Sequence, residues 1–253
     1  MSNLKAFVTG GSRGIGSGIV DVLSDSGYDV AFTYNSKLDE AQELCEKVKA
    51  KGVNCYYFQA SMEQKDVPEK VTKQAIEALG GLDLIVCNAG LTIRTDLLDM
   101  TDEHIDLLYN LDYRAYLIGA RTAARYMVEN KIEGNIIFIT STRSKRAYPD
   151  DAVYGGMKAA LNRSAETFAI SLGKHKIRVN CIAPGATAIR GNMTQEELTR
   201  FEFHKKIPLG RSGTPREVGY LVKYIASKEA NYMTGNTIKL DGGLILEGME
   251  EKR

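Results

Sequence analysis

Residues 4–16 read LKAFVTGGSRGIG: a short apolar run that enters a glycine-rich loop, followed at once by the helical pattern SGIVDVLSDSG (17–27). Glycine there lets the backbone turn tightly and come close to an anion, and the free N–H groups at a helix start attract a phosphate. The spacing is not GxGxxG. Gly10, Gly14 and Gly16 give GxxxGxG, a variation on the same mechanics. The letters admit a rival, because Gly10-Gly11-Ser12-Arg13-Gly14 also fits GxSxG, the nucleophile elbow of hydrolases, with His175 or His204 offered as base. An elbow after the very first strand would leave little chain before it for an oxyanion loop. Glycine-rich turns also serve plain geometry.

Working outward, six further apolar runs alternate with amphipathic stretches: YDVAFTY (28–34), VNCYYF (53–58), LDLIVC (82–87), GNIIFIT (134–140), IRVNCIA (177–183) and NTIKL (236–240). Several are apolar at consecutive positions, as strands covered on both faces require. The stretches between them are long enough for crossover helices. After residue 156, for example, Met157, Leu161, Ala165, Phe168 and Leu172 form one helix face, and Gly173 is expected to end it with Lys174 and Lys176 beside its negative pole. Strands alternating with helices predict βαβ units: a single α/β domain over 1–253, doubly wound, with a mainly parallel seven-stranded sheet and helices on both faces. No low-complexity linker, charge block or internal repeat divides the chain.

Bulk properties narrow the function. The 253 residues carry a formal net charge of +1, which argues against nucleic-acid or membrane binding driven by charge. The N-terminus lacks the basic-then-apolar pattern of a signal peptide, and no window approaches the ~20 apolar residues of a membrane span. Cys45, Cys55, Cys87 and Cys181 are scattered, with no CxxC and no metal-like grouping with histidine. The expectation is free, buried thiols in a reducing cytoplasm and no metal.

A second stretch, YGGMK at 154–158, places a phenol and an ammonium four residues apart, on one helix face. The spacing recurs at Tyr224 and Lys228, so it decides nothing alone. The set TGGSRGIG (9–16), NAG (88–90), TS (140–141), YGGMK and PG (184–185) resembles, in order and spacing, the short-chain dehydrogenases/reductases. The resemblance continues through IPLGRSGTPREVG (207–219) and TGNTIKLDGG (234–243), and so covers nearly the whole chain. Its nearest flavour is the branch of 3-oxoacyl-ACP reductases and glucose dehydrogenases. The family's serine stands thirteen residues before its tyrosine: Ser141 precedes Tyr154 by that distance, whereas Arg211 holds that place before Tyr224.

The resemblance implies interconversion of a ketone or aldehyde and an alcohol by hydride transfer, with catalytic residues Ser141, Tyr154 and Lys158. A free phenol titrates near pH 10, and an adjacent ammonium and an oxidised nicotinamide both favour its ionised form. Tyr154 then donates a proton to a carbonyl oxygen or removes one from an alcohol, and Ser141 hydrogen-bonds the same oxygen. The implied cofactor contacts are Gly10, Ser12, Arg13, Gly14, Ile15 and Gly16 from the loop; Asn35, Ser36, Ser61 and Met62; Asn88, Ala89 and Gly90; Tyr154 and Lys158, the latter on the ribose hydroxyls; and Pro184, Gly185 and Thr187. The glycines at 155 and 156 suggest crowding by cofactor or substrate, or merely a loose first turn.

Two positions depart from the family pattern. Its fourth catalytic residue is an asparagine; Asn110 competes for the role, but a count of 24 from Asn88 reaches Asp112, followed by YRA. Asp112 is therefore read as the replacement, which puts the family's water-mediated relay to Lys158 in doubt. Ile189 stands where threonine is usual, and Thr187 comes two earlier. Cofactor choice is read from DVAFTYNSK (29–37), which has no carboxylate at the strand end where an NAD enzyme keeps one. Arg13 offers a guanidinium to a 2′-phosphate, with Asn35, Ser36 and Lys37 as further donors, so NADP(H) is expected over NAD(H).

The substrate is a small carbonyl or alcohol of unread identity. TRSKRAYPDD (142–151) borders the expected pocket, with Arg143, Lys145 and Arg146 available to an anion and Asp150 and Asp151 offsetting them. The segment 187–206 resembles the family's mobile lid, with Met193, Leu198, Phe201 and Phe203 as apolar lining. A homo-oligomer, tetramer or dimer, is implied by the resemblance. A non-catalytic nucleotide sensor of the same fold is the alternative, although binding alone would not need the phenol.

Overall fold

A computed structural model describes residues 3–189 and 205–246. All seven apolar runs are strands: β1 (Lys5–Val8), β2 (Asp29–Tyr34), β3 (Cys55–Gln59), β4 (Leu84–Cys87), β5 (Asn135–Ile139), β6 (Arg178–Pro184) and β7 (Thr237–Leu240). They form one sheet in the order β3-β2-β1-β4-β5-β6-β7, and every neighbouring pair is parallel. β2, β4, β5 and β6 are buried at every position, whereas edge strand β7 alternates exposed with half-buried residues and edge strand β3 mixes buried, half-buried and exposed ones. That contrast follows from covering the sheet on both sides.

Successive strand residues point to opposite faces. Phe7, Ile85, Ile136 and Phe138 pack with α3 (Val67–Leu79), α5 (Ala115–Glu129) and α6 (Ala152–Gly173). Ala6, Val8, Val86 and Ile137 pack with α1 (Gly14–Asp25), α2 (Leu38–Lys49) and α7 (Pro215–Ala226). Among the described residues the remaining α-helix, α4 (Asp102–Tyr109), runs into a π-helical turn at Asn110–Arg114 before α5. The strand order reverses direction between β1 and β4, so a crevice opens beyond the carboxyl ends of these strands, the usual ligand position in such sheets.

Helices α1 and α7 touch with almost nothing between them. A Cβ built on Gly18 would run into the Pro215 backbone, and one on Gly219 would lie 2.6 Å from the Gly18 carbonyl oxygen. Arg216 clasps the pair by bonding Asp21, and Asp25 at 2.8 Å. Gly18→Ala is expected to lower stability by about 1–3 kcal/mol, because backbone atoms cannot give way as a side chain could. Chemical denaturation would read this, and an unchanged midpoint would refute the contact.

As expected, α6 ends at Gly173, capped by Lys174, and the chain turns back at Lys176, which adopts φ 57°. The lid segment, including Met193, Leu198, Phe201, Phe203 and His204, lies mostly outside the described residues.

Candidate active site

The loop after β1 behaves as a cradle. Gly10 adopts φ 64°, and a Cβ there would approach the Ala89 backbone to 2.9 Å; a Cβ on Gly16 would collide with the Gly10 carbonyl. Asn88 ties this turn to β4 by donating to the carbonyls of Thr9 and Gly10, each at 3.0 Å. Arg13 is the N-cap of α1 in extended conformation, with no side-chain cap, and the first turn carries no acid. Free N–H donors at a positive helix end therefore face the crevice.

That crevice is a cleft of about 710 Å³. It is lined by Gly10, Ser12, Arg13, Gly14 and Ile15 from the loop, by Asn35, by Met62, by Asn88, Ala89 and Gly90, and by Tyr154 and Lys158 at the far end. Gly16 sits beneath the loop. Ser61 stands behind Asn35, its hydroxyl donating to Asn35 Oδ1 at 3.3 Å, and Ser36 is exposed beside it. Pro184 ends β6 and Gly185 and Thr187 follow it, and none of the three lines the cleft wall. Gly185 N–H donates to Leu240, and Thr187 bridges Gly213.

Tyr154 lies in the first turn of α6, and Lys158 one turn deeper, almost fully buried, with Nζ 5.4 Å from the Tyr154 ring centroid. Ser141 follows β5 and Thr140, and caps a short 3₁₀ turn at Thr142–Ser144, where its oxygen accepts the Arg143 N–H at 3.2 Å. Its own hydroxyl hydrogen is then left to donate elsewhere. At the base of the site Asp112 Oδ1 pairs with Lys158 Nζ at 2.9 Å, both side chains out of solvent. Asp112 is the residue that the π turn buries, whereas Asn110 beside it is only half-buried. Burial by itself would weaken the Lys158 ammonium, but the adjoining Tyr116, Asp112 and Tyr154 outweigh it and hold its pKa above the ordinary lysine value.

Other expectations fare differently. Gly155 is crowded, but by protein: a Cβ would meet the Arg143 carbonyl at 3.0 Å and Asp151 at 3.3 Å, while Gly156 faces open space. The cations offered to an anionic substrate are largely engaged. Arg143 pairs with Asp151 at 3.0 Å and stacks on Tyr148, and Arg146 donates to the Leu244 carbonyl at 2.9 Å. Tyr224 is exposed on α7, and Lys228 lies past the end of that helix. No histidine lines the cleft beside Ser12 among the described residues: His175 precedes the amino end of β6, whereas Ser12 follows the carboxyl end of β1. Sequence reading missed Thr33 and Glu63 on the cleft wall, and Tyr116 beneath Lys158; Tyr34 at the end of β2 and Ile189 in the family's threonine position line the wall as well. Tyr116 did carry a signal, since it stands four residues after Asp112, the spacing of Tyr154 and Lys158.

With this geometry in place, comparison with known proteins is decisive for class. A family model described as enoyl-(acyl carrier protein) reductase matches residues 10–245. The 3-oxoacyl-[acyl-carrier-protein] reductase of Staphylococcus epidermidis is 31% identical over 244 residues, covering 96% of this chain and all of its own. Acetoin dehydrogenase from Salmonella typhimurium superposes with a TM-score of 0.93 at 29% identity, over 100% of this chain and 99% of its own. A blue fluorescent protein from a metagenomic library, solved with NADPH, gives 0.87 at 30%, over 96% and 98%. The chain belongs to the short-chain dehydrogenase/reductase family, a group of NAD(P)-dependent oxidoreductases. Among the described residues no helix is long and apolar enough to cross a membrane, and no His, Cys, Asp and Glu grouping could hold a metal.

Proposed function

We propose that this protein, one domain throughout, interconverts a small ketone or aldehyde and its alcohol using NADP(H), with Ser141, Tyr154 and Lys158 as its catalytic residues. The observation that carries the reading is the placement of Tyr154 and the Lys158 ammonium at one end of the same cleft that the glycine loop opens at the other. The donor set fits a dinucleotide. Gly10 and Gly16 let the loop close tightly on Ala89 and on itself, which leaves the α1 N-terminus at the cleft to receive a pyrophosphate, Asn88, Ala89 and Gly90 form the middle wall, and Lys158 stands ready for ribose hydroxyls. When bound, the nicotinamide supplies or accepts the hydride. Tyr154 passes the proton to the carbonyl oxygen or takes it from the alcohol, and the Ser141 hydroxyl donates a hydrogen bond to that oxygen as charge develops.

The preference for NADP(H) rests on Arg13. Its exposed guanidinium borders the cleft beside Thr33, Tyr34 and Asn35, where β2 ends without a carboxylate. Asn35 Oδ1 accepts from Ser61, which leaves its amide nitrogen as a further donor. Glu63 adds a negative charge to the same wall, so Arg13 is the cation that a 2′-phosphate would need. Arg13→Ala is expected to lower kcat/KM for NADPH about ten- to a hundredfold, the worth of one or more charge-assisted hydrogen bonds, with NADH use unchanged. Steady-state kinetics across a carbonyl and alcohol panel at 340 nm tests this; equal use of NADPH by the variant would overturn it. The four buried free cysteines suit a reducing cytoplasm. Assembly as a dimer or tetramer is carried over from the family, and light scattering showing a stable monomer would count against it.

A further inference from the structure

The surroundings of Lys158 hold more charge than a tyrosine and lysine pair needs. Asp112 Oδ1 lies 2.9 Å from Nζ, and Nζ donates to Tyr116 Oη at 3.1 Å and to the Ile139 carbonyl at 3.4 Å. Tyr116 in turn donates to that carbonyl at 3.2 Å. Two oxygens thus accept hydrogens of the ammonium, and the carboxylate faces it as an ion pair. Asp112 is fixed from its far side as well: Oδ2 accepts the Leu91 N–H at 3.1 Å, and a Cβ at Gly90 would overlap Oδ1. The carboxylate is neither a surface accident nor free to swing away.

A cation in contact with an anion acts at a distance as a dipole, and its influence on a third group falls accordingly. We propose that Asp112, seated by Leu91 and Gly90 and completed by Tyr116, is a positioning residue that cancels much of the Lys158 field at Tyr154. Tyr154 then remains a proton donor to higher pH, and alcohol oxidation sets in only under more alkaline conditions than the lysine alone would dictate. The inference rests on the proton-transfer role assigned to Tyr154 above. It implies that this enzyme leans toward carbonyl reduction at neutral pH.

The other ionisable groups around this helix turn leave the balance to Asp112. Arg143 and Asp151, at the start of α6, pair with each other. Arg146 is held on the Leu244 carbonyl, and Asp150 pairs with Arg94 at 3.1 Å. Burial pushes the Cys87 and Cys181 thiols and the Tyr116 phenol upward, so all three stay neutral. From α4, His104 shares a small cavity with Asp150 and Val153. Lys145 is exposed.

The test uses the whole protein labelled with [ζ-¹³C]tyrosine, without cofactor or substrate, the Tyr154 resonance being assigned by its loss in Tyr154→Phe. In Asp112→Asn the Tyr154 ring should titrate about one pH unit or more below wild type, the effect of removing one nearby charge at an effective dielectric of about 20. Asp112→Glu should restore the wild-type midpoint, and Tyr116→Phe, which removes a contact but no charge, should move it by less than half as much. Asp112→Ser serves in the same way should the asparagine variant not fold. An unmoved or raised midpoint on loss of the carboxylate would overturn the proposal. So would an equal shift in Tyr116→Phe, which would mean loosened packing rather than charge. Carbonyl reduction that persists in Tyr154→Phe would instead remove the reading beneath it, whatever the titration gives.

Discussion

Tyr154→Phe is expected to lower carbonyl-dependent NADPH oxidation by about 10²- to 10⁴-fold, the usual worth of a positioned proton donor, while NADPH binding stays within about threefold. Phenylalanine keeps the ring, its packing in the first turn of α6 and its place near Lys158. Only the hydroxyl is lost. The cradle proposed for the cofactor lies elsewhere, from Gly10 to Gly16 and from Asn88 to Gly90, so binding should not notice. Fluorescence titration with NADPH and turnover on the best carbonyl of a panel would be measured on the same preparations. A variant that retains a tenth of the activity would remove Tyr154 from the chemistry. A wild type that binds NADPH and turns over nothing would favour the sensor reading instead.

The parts of this molecule that were legible in the sequence are those set by local pattern. Strands such as DVAFTY and NIIFI are covered on both faces, so their burial is written as uninterrupted apolar residues. The glycine loop and YGGMK could be read because their chemistry depends on spacing along one turn or one helix. What escaped depends on chain segments meeting from far apart. Nothing in TRSKRAYPDD says that Arg143 folds back on Asp151 and Tyr148, or that Arg146 is held by Leu244, 98 residues away. By sequence Gly155 fits either room for a ligand or a loose first turn, and it is room for the strap bearing Arg143 and Asp151. Tyr116 looks like one more bulky residue on a helix face until the π turn before α5 rotates Asp112 inward and brings both onto Lys158.

Lys158→Met should both abolish activity and destabilise the fold, and the second effect separates the ion pair from the chemistry. Methionine fills much of the lysine volume, so packing changes little. Asp112, however, would be left fully buried with only the Leu91 N–H for company. An orphaned buried charge of this kind costs about 3–5 kcal/mol, which in a chain of this size lowers Tm on the order of 10 °C. Removing the charge as well, in Asp112→Asn with Lys158→Met, should recover most of that loss, because replacing both members of a buried pair by neutral groups is often nearly without cost. Activity should not return in the double variant, since the ammonium near Tyr154 is not restored. Thermal unfolding of the single and double variants, alongside turnover with NADPH, decides the matter. A single variant as stable as wild type, or a double variant no more stable than the single, would mean that the 2.9 Å contact between Asp112 and Lys158 contributes nothing to holding this site together.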